Sequence, residues 1–183
     1  MYFDKPGKEH LEETLRLAKK EALLRGIGHL VVASTGGETG LRAAKLLKDS
    51  GIKLIIVSHN TGFKEKDLQE IDPEAKKEIE SLGGVVLTGT MVLRGLGSAI
   101  KVKTGYSEEQ IVADTLRMLG QGTKVCVEIV AMAADAGLIP FKEVISVAGT
   151  ARGADTAAII EANSSNHFFE IRVKEFLAKP RNF

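Results

Sequence analysis

Four short segments of the sequence gather glycine with hydroxyl side chains: Ser34-Thr35-Gly36-Gly37-Glu38-Thr39, Ser58-His59-Asn60-Thr61-Gly62, Thr88-Gly89-Thr90, and Gly149-Thr150-Ala151-Arg152-Gly153-Ala154-Asp155-Thr156. Glycine admits close backbone approach and positive φ, and hydroxyls hydrogen bond to oxygen-rich groups. A helix that begins directly after such a segment adds free N-terminal amides, which favour an anion. The chemistry expected here is capture of a phosphate or another small anion. A single segment of this kind is explained equally well as a strand-to-helix turn, whereas four of them in one chain point to a ligand. Within the last segment Arg152 suits a phosphate and Asp155 a ribityl or ribose hydroxyl. His59 is the histidine placed to act as general acid or base, with a hydrogen-bonded surface histidine as the alternative.

Other chemistries lack their signatures. No G-x-x-x-x-G-K-[ST] occurs, and Gly95-Leu96-Gly97 lacks the third glycine and the strand-turn-helix setting of a dinucleotide fingerprint, which disfavours ATP hydrolysis and ordinary NAD binding. Four scattered histidines and one cysteine give no metal-ligand spacing, and neither Ser34 nor Ser58 sits in a G-x-S-x-G elbow. Cys126, among apolar neighbours, reads as a packed thiol. Glu128 interrupts an apolar run and Asp135 follows seven residues later on the same helical face, with Met132 between them. A buried carboxylate needs a cation, amides or a ligand, so the two are either a structural ion pair or helix cap, or part of a site.

The elements that must position these residues follow from periodicity. Leu11, Leu15, Ala18 and Ala22 define an amphipathic helix that ends at Gly26. Residues 29–33 (HLVVA), 53–57 (KLIIV) and 85–87 are short apolar strands, and helices follow the first two, one running to Gly51 and one from Pro73 to Gly83. Residues 91–106 (MVLRGLGSAIKVKTGY) show neither period and are expected to form a lid over the ligand, or alternatively a β-arm, since residues 99–103 (AIKVK) alternate. Ser107 caps a helix that runs to Gly120, residues 124–137 form a buried helix, and residues 143–148 (EVISVA) a fourth strand. Residues 157–162 and 168–173 (FFEIRV) read as strands joined by a turn. Strands apolar on both faces that alternate with helices predict a three-layer α/β fold, with a mainly parallel sheet, helices on both faces and an antiparallel C-terminal edge. Ligands of such sheets bind beyond the carboxyl ends of the strands, where all four Gly/Ser/Thr segments fall.

The 183 residues, 44% hydrophobic and 27% charged, suit one domain spanning 1–183. A net charge of +1, with acid and base mixed throughout, argues against nucleic-acid and anionic-membrane partners. With no apolar run of roughly 18 residues and no leader-like start, a cytoplasmic location is expected.

The order of loops resembles a known family. HLVVASTGGETGLRAAKLL followed by KLIIVSHN is similar to the opening of the pyruvate kinase C-terminal domain, and VISVAGTARGADTA to its later glycine-rich loop. The chain is identified as a stand-alone member of the pyruvate kinase C-terminal domain-like family, whose members have been associated with flavin mononucleotide (FMN). That resemblance implies that Ser34, Thr35, Gly36, Gly37, Glu38 and Thr39 take a phosphate, with Gly149, Thr150, Arg152 and Gly153 opposite. His59, Asn60, Thr88, Gly89, Thr90 and Asp155 complete the expected cofactor site. The catalytic barrel of pyruvate kinase is missing, so phosphotransfer from phosphoenolpyruvate is not expected. Glu38 puts an acid where that domain often has a base, and residues 91–106 have no counterpart. The expected protein is a homo-oligomer that binds a phosphorylated small molecule, FMN first, with no metal. Two classes stay open: an enzyme, either a flavin-dependent oxidoreductase or one acting on another phosphorylated metabolite, and a sensor or carrier of such a ligand.

Overall fold

The structure is a computed structural model that describes residues 1–150 and 153–183. Its elements are β1 (Tyr2–Phe3), α1 (Leu11–Arg25), β2 (His29–Ala33), α2 (Glu38–Leu47), β3 (Lys53–Ser58), α3 (Pro73–Ser81), β4 (Val85–Thr88), α4 (Gly95–Thr104), α5 (Glu108–Arg117), α6 (Gln121–Asp135), β5 (Glu143–Ala148), β6 (Thr156–Glu161) and β7 (Arg172–Pro180). Seven strands form one sheet in the order β1-β7-β6-β5-β2-β3-β4. The α/β fold with a mainly parallel sheet and an antiparallel turn near the C-terminal edge is thus as the periodicity predicts. Only β6 runs against the others, because β5–β6 and β6–β7 are both antiparallel and β1 pairs parallel with β7.

Alternation along the strands sorts side chains into two cores. Leu30, Val32, Leu54 and Ile56 pack with Leu15, Ala18 and Ala22 of α1 and Ala43, Ala44 and Leu47 of α2. Val31, Ile55 and Val57 point the other way, onto Val127, Val130 and Ala134 of α6. Twelve residues of α6 are buried, so it behaves as an interior helix. Gly26, at φ +67°, ends α1 with its amide on the Ala22 carbonyl. Ser107 Oγ accepts from the Gln110 amide and caps α5, as the sequence predicts. No helix among the described residues is long and apolar enough to cross a membrane.

Three local expectations are corrected. Residues 91–106 contain α4, a ten-residue helix, so the β-arm is excluded. Its two glycines and β-branched Ile100 and Val102 mask the helical period. Residues 165–170 form a 3-10 turn, so the strand read at residues 168–173 begins only at Arg172 and extends to Pro180. Asp135 parts company with Glu128: it is exposed at the end of α6 and accepts the Ser165 amide at 2.8 Å.

Candidate functional site

The carboxyl ends of β2, β3 and β5 open onto a cavity of about 630 Å³, within the roughly 300–1,000 Å³ usual for small-molecule sites. One wall is loop 34–39. Ser34 Oγ accepts from the Gly40 amide at 3.1 Å, which fixes the entry to α2, and Gly37 precedes the helix at φ +101°. The amides of Gly36, Gly37, Glu38 and Thr39 have no partner among the described residues. They crowd the positive end of the α2 dipole. The acid in this loop is accounted for, since the Glu38 carboxylate is held by Arg42 one turn on at 3.0 Å, and Arg42 is also bound to Glu12.

The opposite wall is one face of α6. Gln121, Lys124, Val125, Glu128, Ile129 and Met132 all line the cavity, at the three- and four-residue spacing of a helical stripe. Gly122 lies against Thr156 at the start of β6, so α6 begins at the rim of the cavity and descends from it. Along the roughly 16 Å from Gln121 to Met132 the lining changes from polar to apolar.

Lys124 and Glu128, one turn apart, are 2% and 1% exposed and form a buried ion pair. The second Glu128 oxygen accepts the Leu93 amide at 2.8 Å. Burial pushes the Lys124 ammonium below its ordinary value, Glu128 pulls it back up, and the neighbouring Arg117 and Arg94 push it further down. Those arginines and Lys8 also line the cavity, which therefore holds, among the described residues, four cations beside the carboxylates of Glu38, Glu70 and Glu128.

At the mouth, His59 follows β3. Its Nδ1 lies 2.8 Å from Glu70 Oε2 and its Nε2 3.5 Å from Thr35 Oγ1. The ring rests against Phe63, 4.0 Å between centroids, and the Arg94 guanidinium lies 4.6 Å from the Phe63 ring centre.

Of the residues expected in the site, Ser34, Thr35, Gly36, Glu38, Thr39, His59, Gly149 and Gly153 line this cavity. Of the others, the described ones stand behind or beside it. Gly37 is buried against α3, where an added Cβ would meet the Ala75 Cβ at 2.7 Å. Asn60 Nδ2 donates to the Thr61 carbonyl, and Thr88 shares a 2.7 Å hydrogen bond with Ser58 Oγ. Gly89 and Thr90 are beyond the lining, Thr90 packing on Gly95. The Thr150 amide faces Asp155 Oδ2 at 3.4 Å, and Asp155, fully buried, also accepts from Thr156 Oγ1 at 2.9 Å. Burial raises the Asp155 carboxyl above its ordinary value, against the pull of those hydrogen bonds. Arg152 lies outside the described residues. Gly149 and Gly153 are glycine for want of space: a Cβ on the first would meet the Gly153 carbonyl at 1.8 Å, and one on the second the Gly7 carbonyl at 2.7 Å.

Lys8, Phe63, Glu70, Arg117, Gln121 and Lys124 line the cavity without having been expected there from the sequence. Lys124 carried the one usable signal, a charge one turn before Glu128 in an apolar run. Of the predicted lid, Arg94 reaches the cavity, whereas Lys101 and Lys103 are exposed on α4 and outside its lining. Cys126 faces away, onto the Ser146 and Thr156 carbonyls, with its thiol pushed up to about 12 by burial. No family model matches the sequence.

Proposed function

We propose that this protein binds a phosphorylated small molecule, FMN first, with the phosphate at loop 34–39 and the ring along α6. The observation that carries the reading is the polarity of one cavity, with amides that have no partner among the described residues and cations around its rim, and Val125, Ile129 and Met132 below. A phosphate at the rim would complete the hydrogen bonding of the α2 amides and meet Lys8, Arg117 and Lys124 of the same lining. The ring would lie on aliphatic and thioether side chains, Met91 included, in keeping with a chain that has no tryptophan and two tyrosines. FMN when bound would supply hydride and single-electron chemistry; the protein's own part is to hold the phosphate, exclude water from the ring and place His59 at the mouth. On this reading the resemblance to the stand-alone pyruvate kinase C-terminal domain-like family extends to its cofactor, and the oligomer and cytoplasmic location expected from the sequence go with it.

Lys8, Arg94 and Arg117 in the same lining as the α2 amides favour a second reading, in which the natural ligand is another phosphorylated metabolite. The deciding experiment is absorbance of the purified protein in the flavin bands, followed by titration calorimetry with FMN, riboflavin and inorganic phosphate. FMN binding at least tenfold tighter than riboflavin supports the first reading. Binding of phosphate without either flavin favours the second, and binding of none of the three rejects both.

A further inference from the structure

We propose that His59 is a proton-bearing contact for the ligand's phosphate and that Glu70 is its positioning residue, so that anion capture at this cavity is coupled to uptake of a proton. The inference rests on reading loop 34–39 as a phosphate cradle.

A carboxylate only accepts hydrogen bonds, so the 2.8 Å contact with Glu70 fixes Nδ1 of His59 as a donor. Nε2 is thereby the nitrogen left to the cavity, and it lies 3.5 Å from Thr35 Oγ1 in the neighbouring loop. With the imidazole neutral, Nε2 presents a lone pair, which repels a phosphate oxygen. With the imidazole protonated, the same atom becomes a charged donor aimed at the cradle. The orientation is held on three sides, by Glu70, by the Phe63 ring and by Gln69 Nε2, which donates to the His59 carbonyl at 3.2 Å. Glu70 itself is only 19% exposed in its side chain, so its charge acts on the imidazole at short range.

The other charged groups bordering this cavity are Glu38 from α2, Arg94 ahead of α4, Arg117 at the end of α5, Lys124 and Glu128 on α6, and Lys8 ahead of α1. Glu38 is tied to Arg42, and Glu128 to Lys124. His59 is the cavity's imidazole, the group type that changes charge between about pH 5 and 8.

The test is the affinity of FMN and of riboflavin from about pH 5.5 to 8.5, in buffer free of phosphate, for the wild type, His59→Gln and Glu70→Gln. A phosphate monoester loses its second proton near pH 6, so FMN on His59→Gln is expected to bind better as pH rises. The wild type should hold a roughly tenfold advantage over His59→Gln at the acid end, shrinking to within about twofold at the alkaline end. Glu70→Gln should shrink that advantage, because a neutral amide can also offer its NH2 to Nδ1 and no longer fixes Nε2 as the protonated nitrogen facing the cradle. Riboflavin should show no such trend. A ratio between wild type and His59→Gln that is constant across pH overturns the proposal while leaving the phosphate cradle standing. Equal affinities for FMN and riboflavin at every pH overturn both. A measurement on the wild type alone covers the case of variants that fail to fold: the His59 ring followed by NMR should titrate at higher pH with FMN than with riboflavin, and an identical titration with the two rejects the proposal.

Discussion

Lys124 and Glu128 divide a structural role from a binding one. Glu128 satisfies both an ammonium and the Leu93 amide, so Glu128→Ala leaves a buried cation and an orphan donor. A loss of about 3–5 kcal/mol is expected in urea denaturation. The double replacement Lys124→Met with Glu128→Leu should recover the part of that loss that comes from the buried cation, because two uncharged side chains of similar size remove the desolvation cost of both charges, while the Leu93 amide stays without its acceptor. It should still bind FMN more weakly than the wild type, since the cavity lining has lost a cation. Asp155 gives a prediction with a pH sign. Its carboxyl is raised in the fold from an ordinary value of 3.8, so between those two values the folded state holds more protons than the unfolded one. Stability therefore falls as pH rises through that window, and Asp155→Asn should gain on the wild type from about pH 3.8 upward and then level off, as read from denaturation midpoints at stepped pH. Glu128 was legible in the sequence as a charge in an apolar run, but its partner was not. Asp135 matched it in spacing and differs only because α6 emerges into solvent one turn past Met132, where sequence periodicity carries no depth.

Helix α2 and helix α3 are coupled through the loop that forms the proposed cradle. The Asp72 carboxylate caps α3 by accepting from the Glu74 and Ala75 amides, while the Asp72 amide donates to the Gly36 carbonyl at 3.2 Å. Adjacent glycines in that loop should respond differently. Gly36 has open space where a Cβ would go and lines the cavity, so Gly36→Ala should keep its melting temperature and lose FMN affinity. Gly37 has φ +101° and Ala75 at 2.7 Å, so Gly37→Ala should cost about 1–3 kcal/mol in thermal or urea denaturation. At this scale the strands and the helices with clean stripes could be read directly. Helix α4 could not, because Gly95, Gly97, Ile100 and Val102 all depress helical propensity and Leu96 and Val102 face solvent. The 3-10 turn of residues 165–170 hid for the opposite reason: Phe168 and Phe169 look like strand, yet their role is a turn before β7.

On the scale of the whole molecule, the cavity depends on both ends of the chain. Strand β1 is two residues long and escaped the sequence reading for that reason, yet Phe3 is buried and stacks on His10 at 3.9 Å, and the segment it anchors carries Gly7 onto Gly153 and Lys8 to the rim. Phe3→Ala should cost about 3 kcal/mol, lowering the melting temperature by roughly 6–12 °C for a domain of this size. It should also weaken FMN binding, which calorimetry would read separately. The reversed strand β6 has a different kind of consequence. Each parallel connection in this sheet is bound to a helix, so altering its length moves a layer. The link from β5 to β6 returns directly to the neighbouring strand and spans no helix. Lengthening that link moves neither helical layer, while the crowded Gly149 and Gly153 and the buried Ala154 and Asp155 pin its ends, so added residues there would extend the cavity wall towards new ligands and leave the helices on both faces in place.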